Sequence, residues 1–270
     1  MKKKHYLIIG LCLAFTGVLF LHTAAFAAII RIKPDGNDDN SGTSWALAKK
    51  TVRAAINTGN QGDEIWFAAG TYPEHIQNKV ISDVAVDVAL YGEFAGTETD
   101  RNDRNWNVNL TILDGGGGLF PIPSEIGSVV YIRGGATQAN RIDGFIIIRG
   151  HDMAGGGILI INYKISQPKE HPIITQNVIA ENFAIETGAG IAVIGSEHIT
   201  PPQYGPVMPT ITGNTIFRNV SALNGGGIGI HGHVTPFIAN NKITANNSRL
   251  CGGEFSGKRR WNLRHKEGFG

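Results

Sequence analysis

The chain has 270 residues and a formal net charge of +2, with 17% charged and 42% hydrophobic side chains. The two ends of the chain are basic, whereas residues 28–257 contain 16 basic and 21 acidic side chains. Nucleic acids and anionic membrane surfaces need a basic face, so this composition excludes both as partners for the body of the protein.

Residues 1–27 have the pattern of a secretory signal peptide. Three lysines follow Met1, residues 7–21 are apolar, and Ala25-Phe26-Ala27 is a small-residue cleavage site. A membrane anchor would need about 20 apolar residues, more than this segment has. We therefore expect a secreted protein, extracellular or on the outer surface, that begins at Ala28 and keeps no membrane-spanning segment.

A helical pattern follows a turn-rich segment at residues 34–40. Apolar side chains recur at helical spacing between Trp45 and Ile56, which predicts an amphipathic helix over residues 45–58. Ser44 is the expected N-cap, and Gly59 is expected to end the helix in the left-handed conformation. We expect this helix to cap the exposed end of the strand-rich region that comes next.

The C-terminal half contains a nine-residue segment three times, at 174–182, 211–219 and 238–246. Such a repeat cannot bury its own apolar face, so its copies must stack as the coils of a solenoid. Gly70, Gly92, Gly115 and Gly144 suggest that the same coil extends towards the N-terminus with a basic length near 22 residues. This spacing aligns Gly144 with Asn177.

Asparagines recur at two positions of the repeat. Since Asn tolerates the left-handed conformation better than most residues, we expect it to turn the corners between short strands. Stacked amides can also hydrogen-bond from coil to coil. The two predicted ladders are Asn177/Asn214/Asn241 and Asn182/Asn219/Asn246.

Several stretches are similar to a known family. Gly42-Thr43-Ser44-Trp45-Ala46, residues 62–72, residues 90–99, Arg104-Asn105-Trp106 and residues 111–115 resemble secreted bacterial right-handed parallel β-helix proteins of the pectin-lyase-like superfamily. The resemblance implies an all-β, right-handed parallel β-helix over residues 28–257, with its N-terminal capping helix, followed by an irregular basic tail at 258–270. A looser similarity, of the I-x-x-N and Gly-Gly-Gly-Ile repeats, is to polymorphic outer-membrane adhesins.

Candidate chemical groups are few. Arg149, His151 and Asp152 are the catalytic candidates, although neighbouring residues of a strand point to opposite faces. His231 and His233 are the metal-site candidates. The charged residues 100–104 are predicted to form a polar loop tied by local ion pairs. The outer face at Leu159, Ile161, Ala192 and Ile194 is apolar, so we expect loops 163–171 and 195–208 to cover it.

These features suggest a non-catalytic monomer that serves in adhesion or carbohydrate recognition, with a polysaccharide or cell-surface glycan as partner and no cofactor. The alternative is a polysaccharide-active enzyme, a lyase or glycoside hydrolase, for which the resemblance would imply calcium as a cofactor. Three carboxylates, or a carboxylate pair with Arg or Lys, converging on one outer face would favour the enzyme.

Overall fold

The computed structural model describes residues 27–73, 88–116, 127–133, 140–161, 171–196 and 206–248. The predicted signal segment, the basic tail and most of the two long loops lie outside these residues. Strands dominate the described chain, and the sheets that they form are parallel, as expected for an all-β parallel fold.

The strands form four sheets. Sheet 1 contains, in spatial order, β1 (Ile29–Ile32), β2 (Glu64–Ala68), β4 (Ala89–Phe94), β7 (Arg141–Asp143), β11 (Ile173–Thr175), β15 (Thr210–Thr212) and β19 (Phe237–Ala239). Sheet 2 contains β3 (Gly70–Tyr72), β5 (Thr111–Asp114), β8 (Ile146–Ile148), β12 (Val178–Ala180), β16 (Thr215–Phe217) and β20 (Lys242–Thr244). Sheet 3 contains β9 (His151–Ala154), β13 (Phe183–Thr187), β17 (Val220–Ser221) and β21 (Asn247–Ser248). Sheet 4 contains β6 (Val130–Arg133), β10 (Ile158–Ile161), β14 (Ile191–Ile194) and β18 (Ile228–His231).

From β7 onward the chain visits the sheets in the fixed order 1, 2, 3 and 4, and then returns to sheet 1 beside its previous strand. The predicted period of about 22 residues is wrong, since the shortest return to sheet 1 takes 25 residues, from Glu64 to Ala89. The glycines misled the prediction because they occupy different positions in the fold: Gly92 lies within strand β4 of sheet 1, whereas Gly115 follows strand β5 of sheet 2. Asp143 pairs with Thr175, so Gly144 lies beside Gln176 and not beside Asn177.

One apolar core lies inside the sheets. Isoleucines at the centre of successive strands stack on one another and are buried. Side chains alternate between the two faces of a strand, so the residues on either side of each isoleucine point outward. The main column members are Ile142, Ile174 and Ile211 of sheet 1, Ile147, Ile179 and Ile216 of sheet 2, and Ile158, Ile160, Ile191 and Val193 of sheet 4.

The predicted helix exists but is shorter. It forms α1 (Val52–Thr58), with Thr51 as N-cap, and Gly59 ends it in an extended conformation, so the predicted Ser44 cap and left-handed Gly59 are wrong. The start moves because Lys49 pairs with Ile32 and Asp38 accepts the N–H groups of residues 50 and 51, which keeps the chain before Thr51 extended. Buried Val52 and Ile56 pack in the core beside edge strand β1, as expected.

Both predicted asparagine ladders are present. In the first, Asn214 Oδ1 accepts the backbone N–H and the Nδ2 of Asn177, both at 3.0 Å, and Asn241 does the same for Asn214 at 2.9 Å. The second ladder repeats this pattern through Asn182, Asn219 and Asn246. Each Nδ2 also donates to a carbonyl of the neighbouring strand that precedes it in the sequence, for example Asn182 to Ile147. The amides therefore satisfy buried backbone groups at the corners.

The left-handed residue at each corner is not the asparagine but the residue before it. These residues are Gln176, Glu181, Gly213, Arg218, Asn240 and Ala245, with φ between 53° and 68°. Only one of the six is a glycine, so side chains of several kinds are held in a conformation that costs about 1 kcal/mol or more. The ladder bond of the following asparagine stabilises this conformation.

Removing one ladder amide tests this role. Asn182→Ala leaves the buried N–H of Gly150 and the carbonyl of Ile147 without their partner, so we expect a loss of about 3 kcal/mol in the free energy of unfolding. Asn107→Ala, at an exposed position, should change it by less than about 0.5 kcal/mol. Chemical denaturation measures both, and equal stability of the two variants would contradict the ladder.

Candidate functional site

The structure does not bring the predicted catalytic residues together. Arg149 is exposed and donates from Nε and Nη2 to the carboxylate of Asp114. His151 is buried against the ring of Phe183, with ring centroids 4.5 Å apart. Asp152 accepts the backbone N–H and the Oγ–H of Ser128 on the other face of the strand. Alternation along β9 therefore separates the histidine from the carboxylate.

The predicted histidine pair lies at the end of sheet 4. His231 is exposed, His233 is half-buried, and Gly232 between them has a φ of 76°, so the chain turns at this point instead of continuing as a strand. No group of three or more metal-ligating side chains occurs among the residues that the structure describes. The third ligand that a metal site here would need is thus not found in that part of the chain.

The apolar outer face of sheet 4 is largely buried, as predicted. Leu159 and Ile161 are buried and pack with Ala154 and Ala192, while Ile194 is half-buried beside them. Most of the loops predicted to cover this face lie outside the described residues. The burial itself indicates that this side of the protein is structural.

An aromatic cluster lies on the outer face of sheet 1, on strands β1, β2 and β4. Trp66 stacks on Phe94 with centroids 4.5 Å apart, and Trp45 packs on the same ring at 5.6 Å. The guanidinium of Arg31 lies 5.1 Å from the centre of the Trp66 ring and 5.7 Å from that of Trp45. These contacts build a rigid platform from strands β1, β2 and β4.

Residues 95–110 are tied to this platform by ion pairs. A short 3₁₀ helix (Arg101–Asp103) places Arg101 against Glu64 and the hydroxyl of Tyr91, and Arg104 Nη1 lies 3.1 Å from Asp143 Oδ1. The prediction of local ion pairs is wrong, because both arginines reach strands that lie 37 and 39 residues away in the sequence. They hold the segment to the sheet and do not merely close a loop.

Glu93 occupies an unusual position beside these arginines. Its φ of 74° lies in the left-handed region, its side chain is buried, and its Oε2 lacks a hydrogen-bond partner. The carboxylate packs against Gly144, where an added Cβ would lie only 2.8 Å from Oε2. Burial raises the pKa of Glu93 to about 7, with Asp143 adding to the rise and Arg104 opposing it.

Glu93 and Asp143 thus form a carboxylate pair with Arg104 on one outer face, the arrangement that favours an enzyme. Yet both oxygens of Asp143 are occupied, Oδ1 by Arg104 and Oδ2 by Arg141 at 3.0 Å, and Oε2 of Glu93 is closed to solvent. In this conformation the cluster can hold a loop in place, but it does not present a free acid or base to a substrate.

An exposed apolar turn lies at the end of the tethered segment. Asn105 builds it, since its Oδ1 accepts the N–H of Asn107 and its carbonyl accepts the N–H groups of Val108 and Asn109. Trp106 is 56% exposed and Val108 is 71% exposed, with Leu110 exposed beside them. We call residues 105–110 the Trp106 turn. Sequence reasoning missed this turn, although a tryptophan between two asparagines was a usable signal.

Comparison of the chain with known protein families, with curated proteins and with solved structures gives no match. In the described part of the chain, no helix has the length and apolar character needed to cross a membrane. The sheet 1 face and the Trp106 turn are therefore the features of the described chain that bear on its function.

The raised pKa of Glu93 predicts a specific pH dependence. Because the folded state binds this proton more tightly, Glu93 stabilises the fold below pH of about 4.5, and this stabilisation is lost as the pH rises to about 7. The Glu93→Gln variant lacks this loss of stability. The free energy of unfolding of the variant minus that of the wild type should therefore increase between about pH 4.5 and about pH 7. Chemical denaturation at several pH values measures the difference.

Glu98→Gln is the control of opposite sign. Although burial alone would raise the pKa of Glu98, hydrogen bonds from the backbone N–H groups of residues 95–98 lower it. Its carboxylate therefore adds stability above about pH 4.5, and this is lost on further acidification. A stability difference for Glu93→Gln that stays constant with pH would contradict the burial argument.

Proposed function

We propose that the four sheets are the faces of a secreted right-handed parallel β-helix of the pectin-lyase-like kind, capped at its N-terminal end by α1. The fixed visiting order of the sheets and the parallel register from coil to coil support this architecture. Export rests on the signal pattern of residues 1–27. A crystal structure of the exported chain would test the handedness of the coils.

We propose that the protein binds carbohydrate through the Trp106 turn and has no catalytic activity. The observation that carries this proposal is the exposed Trp106, flanked by amides, on a turn fixed by Arg101 and Arg104. Contiguous exposed apolar patches, such as the one that Trp106, Val108 and Leu110 form, are less common on monomeric proteins than single exposed apolar residues and often mark binding sites. A sugar ring offers an apolar face for the indole and hydroxyl groups for the amides of Asn105 and Asn107.

The surroundings of the turn favour an uncharged polysaccharide. The arginines next to the turn are already paired with Glu64 and Asp143, and the body of the protein has an excess of acidic residues. Arg101 and Arg104 would therefore offer an anionic polymer no unpaired charge next to the turn. Because the anchored turn is ordered before it binds, little conformational entropy is lost on binding.

Binding to a glycan array, followed by affinity measurements on the glycans that bind, tests this function. Trp106→Ala should weaken binding by about 2 kcal/mol, roughly thirtyfold, because an aromatic anchor supplies most of the energy of such a contact. Phe237→Ala is the matched control, since Phe237 is 62% exposed but lies in sheet 1 at β19, away from the turn. Unchanged affinity of Trp106→Ala, with an unchanged melting temperature, would exclude this site.

A polysaccharide-active enzyme remains the second candidate, and the convergence of Glu93 and Asp143 on Arg104 favours it. The carboxyl of Glu93, with its raised pKa, would be the acid, and Asp143 would be its partner. This role requires residues 95–110 to move away, because they close the pair to solvent. Carbohydrate binding ranks first since the Trp106 turn is accessible without any movement.

The enzyme candidate predicts product release from polygalacturonate or from a neutral glucan. A hydrolase would generate reducing ends and a lyase would generate unsaturated uronides. Glu93→Gln and Asp143→Asn should each lower kcat at least about a hundredfold, whereas Trp106→Ala should mainly raise KM. If the wild-type protein binds a glycan and releases no product from it, the enzyme candidate is excluded and the binding function stands.

A further inference from the structure

A β-bulge in β4 places Glu93 beside the segment that carries the Trp106 turn. The pairing of β4 with β2 shifts by one residue, so that Gly92 and Glu93 together lie opposite Phe67. Glu93 has a φ of 74° there, a left-handed conformation that is unfavourable for a residue with a Cβ. Bulges redirect side chains and are frequent next to functional sites. β4 ends one residue later, where residues 95–110 begin.

The backbone of Glu93 holds both ends of the Trp106 turn. Its carbonyl accepts the N–H of Asn105, the first residue of the turn, at 3.1 Å. Its N–H donates to Oγ1 of Thr111, the residue after the turn, at 2.8 Å. Thr111 is itself buried. The backbone conformation of this one residue therefore determines where the turn begins and where it ends.

The side chain of Glu93 suits its position as a neutral carboxyl. Oε2 is closed to solvent and has no hydrogen-bond partner, and an added Cβ at Gly144 would lie only 2.8 Å from it. A carboxylate in this position would lose its hydration without gaining a donor, which costs far more free energy than the burial of a neutral carboxyl. Ionisation therefore favours a conformation in which Glu93 reaches water.

The charged side chains that face Glu93 in the described chain act against each other. Burial raises the pKa of Glu93 most, Arg104 of the tethered segment lowers it, and Asp143 of β7 raises it. Arg104 is already bonded to Asp143, whose other oxygen accepts from Arg141. The next groups outward are likewise paired with one another: Arg101, Glu64 and the hydroxyl of Tyr91. Arg104 is thus shared between two carboxyl groups once Glu93 is ionised.

We propose that Glu93 is a proton-controlled switch for glycan binding by the Trp106 turn. A neutral Glu93 stays in the bulge and fixes the turn, whereas an ionised Glu93 leaves its buried position for water. Its backbone then leaves the left-handed conformation, and the hydrogen bonds to Asn105 and Thr111 break. A glycan has to order the released turn again when it binds, which lowers its affinity. This inference rests on the proposed glycan binding and adds the condition under which the turn binds.

The direction of the switch follows from the two environments of Glu93. Its pKa is about 7 in the buried position, above the ordinary value of 4.5 for a glutamate in water. The buried position therefore has its full stability below about pH 4.5 and loses it as the pH rises through about 7. Each unit of pKa difference changes the equilibrium tenfold, so ionisation favours release by a factor on the order of a hundred. Tight binding is expected in acidic surroundings and weak binding in alkaline ones.

Affinity measurements at about pH 5.5 and about pH 8.5 test the switch, with a neutral glucan oligosaccharide as the probe. The affinity of the wild type should fall at least about fivefold between them. Glu93→Gln and Glu93→Gly cannot ionise at this position, so their affinities should change less than about twofold. Glycine also adopts a positive φ without strain. Asp103→Asn is the matched control, because Asp103 is an exposed carboxylate of the same segment, and its pH dependence should equal that of the wild type.

Hydrogen exchange of the Asn105 amide tests the switch without any glycan. Its protection, relative to the intrinsic exchange rate at each pH, should fall between the same two pH values in the wild type. It should stay constant in Glu93→Gln. The amide of Asn182 is the internal reference, because it belongs to an asparagine ladder and should remain protected at both pH values.

The two measurements separate the switch from the proposed function. Protection of Asn105 that falls with pH in a chain that binds no glycan supports the switch and overturns the glycan function. Constant protection and constant affinity in the wild type overturn the switch and leave glycan binding in place. A pH dependence that persists in both Glu93 variants also overturns the switch, because it assigns the proton to another group, such as His231 or His233.

Discussion

The fold depends on the asparagine amides that connect successive parallel strands at two corners. At each corner a residue with positive φ turns the chain, and the asparagine after it bonds to the residues stacked on either side, as Asn177 does to Ile142 and Asn214. Corner groups would otherwise be buried without partners, because Asn177, Asn182, Asn214 and Asn219 are all about 1% exposed or less. The strands between the corners have only three residues, so they depend on the corners for their register.

The sequence predicted the parts of the fold that repeat and failed where they do not. The ladders and the inward isoleucines recur in three copies, so their spacing alone located them. The start of α1 could not be found in the same way, because Asp38 determines it through hydrogen bonds to residues 12 and 13 positions further along the chain. The coil length failed for a related reason, since glycines at different positions of the fold look identical in a sequence.

The candidate site was beyond sequence reasoning because long-range contacts assemble it. Arg101 and Arg104 looked like members of a local charged loop, yet their partners Glu64 and Asp143 come from strands far away in the chain. His151 and Asp152 looked like a pair only because they are adjacent, and strand alternation separates them. The exposed Trp106 is functional in our proposal because those arginines fix the backbone on which it stands.

The asparagine ladders determine the backbone conformation of the corners but not the identity of the corner side chains. The six corner positions hold glutamine, glutamate, glycine, arginine, asparagine and alanine, yet their backbone conformations are nearly the same. The amide that stabilises each corner belongs to the next residue, so the corner side chain is free to vary. Five of the six face solvent and recur at the spacing of stacked strands, about 4.8 Å. Substitutions along these rows can therefore introduce regularly spaced charges or ligand-binding groups, by evolution or by design, without changing the backbone.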